Sequence, residues 1–143
     1  MKKISIILLA MILVAPVLTA QGYRDLDIAM SSLARGFERG ESAPVVAGVG
    51  DQVMLQFTGL MEEEGFFGRD QASYLLDELF EQVNPSGFEV TSARKVSAQG
   101  QYHVTANWTI RNGESAEVRE LYVTLQSRED RWSIVSIKSS GKK

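Results

Sequence analysis

From Gly87 to Ser140 the hydrophobic period of the chain is two. Four runs, GFEVTSARKVSA, QYHVTANWTIR, SAEVRELYVTLQS and RWSIVSIKSS, alternate apolar with polar residues and are separated by Gln99-Gly100, Asn112-Gly113 and Arg128-Glu129. Alternation of this kind marks half-buried strands. The separators are so short that successive strands must fold back as hairpins, which confines this half of the chain to a four-stranded antiparallel meander. Asn-Gly is the strongest of the three turn signals, because both residues tolerate the positive φ of a primed turn.

Parity then assigns faces. A hairpin closed around Asn112-Gly113 puts Tyr102, Val104, Ala106, Trp108 and Ile110 on one face with Leu121, Val123 and Leu125. A turn around Arg128-Glu129 brings Trp132 near Leu125 and Ile134 near Val123. Phe88, Val90 and Val96 reach that face only if an extra residue breaks the alternation, and a glycine bulge near Gly100 is the expected device. Ile137 is out of step with Trp132 and Ile134, so a second bulge is expected near Ser136. The opposite face carries His103, Thr105, Asn107, Thr109, Glu120, Tyr122 and Thr124.

Upstream the period is 3.6. Leu26, Met30, Leu33, Ala34 and Phe37 form one helical stripe, capped by Asp25 or Asp27 and ended by Gly40. Gly36 inside it costs about 1 kcal/mol relative to alanine, so the helix depends on packing. Ser42 and Pro44 predict a short helical turn through VVAG. Val53, Leu55 and Phe57 predict a strand, and TGLMEEEGFF turns back as a second, with Glu62, Glu63 and Glu64 at a solvated tip that lacks the spacing of a calcium loop. Ala72, Leu75, Leu76, Leu79, Phe80 and Val83 form a narrow stripe on a further helix, begun at Gly68 and stopped by Asn84-Pro85. Helices lying on one face of a curved, mainly antiparallel sheet, an α+β domain over residues 21–143, is the expected architecture.

Composition narrows the function classes. MKKISIILLAMILVAPVLTA places two lysines before an apolar run that ends in a small residue, the layout of a secretory signal peptide cleaved after Ala20. The run is interrupted by Pro16 and is shorter than the ~20 residues a transmembrane helix needs, so the mature chain is expected to be secreted or periplasmic without a stable anchor. The absence of cysteine excludes disulfides, thiolate metal sites and cysteine nucleophiles. The 15 basic residues less Lys2 and Lys3 leave 13 against 18 acidic ones, a formal charge of −5 with no basic stripe for nucleic acid.

The element order resembles the nuclear transport factor 2-like (cystatin-like) cone. More narrowly, DQVMLQF, GFFGRDQASYLLDELFEQVNPSGFEV and RWSIVSIK are similar to the small exported bacterial proteins grouped as domain of unknown function 4783 (DUF4783), over Ile28 to Ser139. Gly68 stands where that family usually has a serine. The resemblance implies a fold and an export route and carries no catalytic residue. Enzymes with this cone usually hold an Asp-His or Tyr-Asp pair in the cavity. His103, the single histidine, falls on the polar face, and Tyr23, Asp25 and Asp27 sit where helix capping accounts for the two aspartates.

The candidate ligand-binding residues are therefore Trp108, Arg119 and Tyr102: an inward arginine beside an indole could meet an anionic or planar ligand at the open end of the cone. The competing expectation is that Trp108 is core and Arg119 snorkels to water. No catalytic, metal or cofactor site is expected. The reading is an exported, non-catalytic envelope module that binds a small molecule or a protein, with a homodimer through the outer sheet face as one form of partner. The alternatives are a small cofactor-free lyase or isomerase with an acid at the cavity mouth, and a self-associating structural protein.

Overall fold

Asp25 opens the first helix by accepting the backbone N–H of Asp27 at 2.9 Å, and Gly40, at φ 72°, closes it. The computed structural model describes residues 25–140, so the leader, its cleavage point and Tyr23 lie outside the described residues. Helix α1 spans Leu26–Arg39 and α2 spans Ser42–Val46. Ser42 does not cap α2, as the cap position is taken by Glu41. Ser42 is instead buried inside the helix, with its hydroxyl 3.3 Å from that of Ser73. Gly36 is explained by this junction: a Cβ there would stand 2.4 Å from Val45 Cγ2 and 2.8 Å from the Glu41 carbonyl. The glycine lets α1 and α2 touch at the backbone.

Strand β1 (Val49–Phe57) pairs antiparallel with β2 (Gly65–Gly68), and α3 (Arg69–Val83) follows directly. The α3 stripe lands as its spacing requires, with Ala72, Leu75, Leu76, Leu79, Phe80 and Val83 all buried. Asn84 ends the helix in the left-handed conformation. The meander is β3 (Gly87–Val96), β4 (Gln101–Asn112), β5 (Ser115–Arg128) and β6 (Arg131–Ser139). One six-stranded sheet results, in the order β2-β1-β6-β5-β4-β3, with β1 and β6 parallel and every other pair antiparallel. The helices cover one face, and the core joins Leu33 and Phe37 of α1, the α3 stripe, and Val104, Trp108, Ile110, Leu121, Val123, Leu125, Ile134 and Ile137 of the sheet.

Three details of the meander differ from the sequence-based expectation. The β4–β5 turn is Gly113-Glu114, since Asn112 pairs with Ser115. Positive φ at Gly113 without positive φ at Glu114 is the pattern of a II′ turn. A one-residue shift of the loop moves each pairing by two, so every side chain keeps its face. The extra residue in β3 is Thr91, not Gly100. The register passes from Val90↔Ala106 to Ser92↔Thr105, and Thr91 Oγ1 donates to the Thr105 carbonyl at 3.1 Å. Phe88 and Val90 thus share the face of Trp108 and Ala106, while Val96, opposite Gln101, does not join it. Finally, the last turn is Glu129-Asp130, both at positive φ, and the bulge falls at Val135, one residue before Ser136. Leu125 therefore faces Ile134 and Val123 faces Ile137.

Candidate functional site

Phe37 sits at the centre of the space enclosed by the curved sheet. Its ring lies 5.3 Å from that of Trp108 at 88° and 5.4 Å from that of Phe80 at 84°, with Phe57 and Phe88 stacked at 6.3 and 5.8 Å. Edge-to-face geometry of this kind is favourable beyond the area it buries. Trp108 is 0% exposed, and its indole N–H donates to the Phe37 carbonyl at 2.9 Å. That carbonyl is one of the four that the last turn of a helix leaves without an intrahelical partner. Gly40 N–H and Glu41 N–H both go to Gly36 O, so the indole supplies what the helix lacks. At this level the cone is filled.

Arg119 stands directly across the ladder from Trp108. It does not reach out to water. The residue is 5% exposed, its Nε donates to Glu117, and its Nη1 donates to the Thr58 carbonyl at 2.8 Å. A buried guanidinium needs a counter-charge and acceptors for its fork of donors, and these two partners provide them. Tyr102 is on the same inner face but apart, with Val104 and Ala106 between it and Trp108; its ring meets Trp132 edge-on at 6.1 Å. The structure therefore brings Trp108 and Arg119 together and leaves Tyr102 about 20 Å away along β4.

Arg119 has a second consequence. By holding Thr58 it fixes the start of the loop from 58 to 64, whose far wall forms an open groove of about 720 Å³ with Leu75, Glu78, Leu79 and Gln82 of α3. Glu62, Glu63 and Glu64 line it, so the three acids expected at a solvated tip border a concavity. Tyr74, on the exposed side of α3, has its pKa raised above 10.0 by donating to Glu78, with the charge of Glu78 adding to the effect.

The outer face of the sheet is different in character. His103 Nε2 lies 3.0 Å from Gln101 Oε1 on this face, opposite the side that holds Trp108. Tyr122 donates its hydroxyl to Glu120, which raises the phenol pKa above 10.0. Phe66 (66% exposed), Val118 (49%) and Tyr122 (43%) leave large apolar surface in water here. Phe66 pairs with Met54 and Val118 with Thr109, which places all three on one face. Sequence reasoning missed Phe66 and Val118 as surface features. The parity of β5 could have flagged Val118, whereas the facing of Phe66 depends on the β1–β2 register.

The profile of DUF4783, domain of unknown function, matches residues 30–139. The chain belongs to that family. A DUF4783 protein of known structure from Bacteroides ovatus is 22% identical, with a TM-score of 0.65 over 76% of this chain and 91% of that one. A protein of ketosteroid isomerase-like fold from Catenulispora acidiphila, solved in complex with trimethylamine, is 12% identical, with a TM-score of 0.61 over 80% and 85%. A nuclear transport factor 2-like protein of unknown function from Shewanella oneidensis is 17% identical, with a TM-score of 0.58 over 78% and 93%. The fold is the nuclear transport factor 2-like α+β cone. No curated protein matches the chain.

Proposed function

We propose that this DUF4783 protein is an exported, non-catalytic binding module of the bacterial envelope that meets its small-molecule or protein partner on the outer face of the sheet. One observation carries the choice of face: Trp108 is fully buried and bonded to Phe37, so the centre of the cone is occupied by the protein's own side chains. A module of this fold that does not bind inside must use its surface, and the outer sheet face combines exposed Phe66, Val118 and Tyr122 with strand threonines. Export is supported by the leader-like layout of residues 1–20.

A homodimer through this face is a second reading, favoured by the same three side chains, which project from two strands, β2 and β5, of one surface. The catalytic alternative draws less support. Asp25 is already engaged in capping, and His103 lies on the opposite side of the sheet from the enclosed aromatic cluster.

Photo-crosslinking in the native envelope tests the reading. A crosslinker placed at Phe66, Val118 or Tyr122 should give discrete adducts, and one placed at Ile28 or Tyr74 on the helical side should not. Adducts confined to Ile28 and Tyr74 would overturn it.

A further inference from the structure

The parallel ladder between β1 and β6 is interrupted. Its register passes from Val49↔Ile134 to Met54↔Ser136, so Gly50, Asp51, Gln52 and Val53 lie opposite the single residue Val135. Regular parallel pairing spaces its hydrogen bonds evenly, and an irregularity of this size breaks that spacing between the two strands. The gap opens onto a cleft of about 270 Å³ on the outer face of the sheet. Its walls include Asp51 from β1, Phe66 from β2, Arg128 from β5 and Val135 from β6.

Two features make this more than a surface dent. One wall is fixed in advance: the Gln126 side chain donates to the Gln99 carbonyl at 3.0 Å and accepts from Gln101 Nε2 at 3.1 Å. The charges are also separated. Asp51 and Arg128 stand on the two strands that flank β6, two strand spacings apart and about three residues out of step along the sheet, which puts them about 14 Å apart at the backbone. Among the described residues no ion pair joins them. An anionic wall and a cationic wall, held apart over an apolar side, match a ligand with one charge of each sign and an apolar side chain. The volume falls just below the ~300–1,000 Å³ of pockets for drug-sized ligands, which suits a fragment of one or two residues.

We infer that the interrupted β1–β6 ladder forms a site for a zwitterionic amino acid or dipeptide with an apolar side chain. Asp51 takes the ammonium, Arg128 takes the carboxylate, and Phe66 and Val135 cover the side chain. The inference deepens the outer-face reading and rests on it.

Amide chemical shifts of the mature protein, titrated with L-leucyl-L-alanine, test it. Saturable shifts at Gly50, Asp51, Gln52 and Val135 are expected. Asp51→Asn and Arg128→Gln, both at exposed positions, should each weaken binding by about tenfold or more, the effect of losing a charge-assisted hydrogen bond. Isoamylamine and isovalerate, each lacking one charge, should bind correspondingly worse. No shifts at millimolar dipeptide, or shifts that both variants leave unchanged, would overturn the site. Shifts centred on Val118 and Tyr122 would sink this cleft while leaving the outer-face reading intact, and shifts confined to the 59–64 loop and α3 would sink both.

Discussion

The indole N–H of Trp108 donates to the backbone carbonyl of Phe37 over 2.9 Å, and the two rings meet edge-on at 5.3 Å. This pair ties the last turn of α1 to the middle of β4 and closes the cone. Trp108→Phe removes part of a buried ring and leaves a buried carbonyl without its donor. A loss of about 2 to 4 kcal/mol is expected, read from the urea midpoint at unchanged slope. A loss under about 0.5 kcal/mol, the range of surface substitutions, would mean that the indole is not structural.

Gly36→Ala should destabilise the protein, against helix propensity. Alanine gains about 1 kcal/mol within a helix, yet its Cβ would lie 2.4 Å from Val45 Cγ2 and 2.8 Å from the Glu41 carbonyl. Overpacking of this kind costs about 1 to 3 kcal/mol. A thermal midpoint that falls satisfies the account, and one that rises refutes the close approach of α1 and α2.

Arg119 and Glu117 form a buried pair, with side chains 6% and 10% exposed. Arg119→Met alone strands the Glu117 carboxylate and should cost about 3 kcal/mol or more. Arg119→Met combined with Glu117→Leu should recover a large part of that loss, because neither charge is then left buried alone. The double-mutant cycle by chemical denaturation measures the coupling, and simple additivity would contradict the pairing.

Tyr122 should titrate above pH 10, because its hydroxyl donates to the Glu120 carboxylate and the bond holds the proton on the phenol. The folded state then keeps a proton that the unfolded chain releases near pH 10.0. The stability this bond contributes is complete below pH 10 and is lost as pH rises through the folded-state value. Glu120→Gln should move the titration back down. Phenolate absorbance in a Tyr74→Phe background, which removes the other raised phenol among the described residues, measures it.

Residue spacing carried the fold a long way. The α3 stripe, both caps of α1 and the parity of β4 against β5 are local rules, and each is found in the structure. The position of a bulge is not local. Parity asks for one odd residue near Gly100 if Phe88, Val90 and Val96 are to share the inner face, whereas the structure puts it at Thr91 and leaves Val96 off that face. The choice of Thr91 follows from its bond to Thr105 on the neighbouring strand. The burial of Arg119 was equally out of reach, since its acceptor, the Thr58 carbonyl, is 61 residues away in the chain. Phe37 and Trp108 are 71 residues apart, and no pattern in either segment announces that they fill the same space. The β1–β6 cleft depends on a parallel pairing between the two ends of the domain, which alternation alone does not specify.

Fluorescence of Trp108 addresses the closed interior, on which the choice of the outer sheet face depends. The chain has two tryptophans, so Trp132→Phe leaves Trp108 as the single indole. The account predicts blue-shifted emission that acrylamide barely quenches in the folded protein and quenches freely after unfolding. Free quenching in the folded protein would show an interior open to small solutes and would return the binding site to the cone.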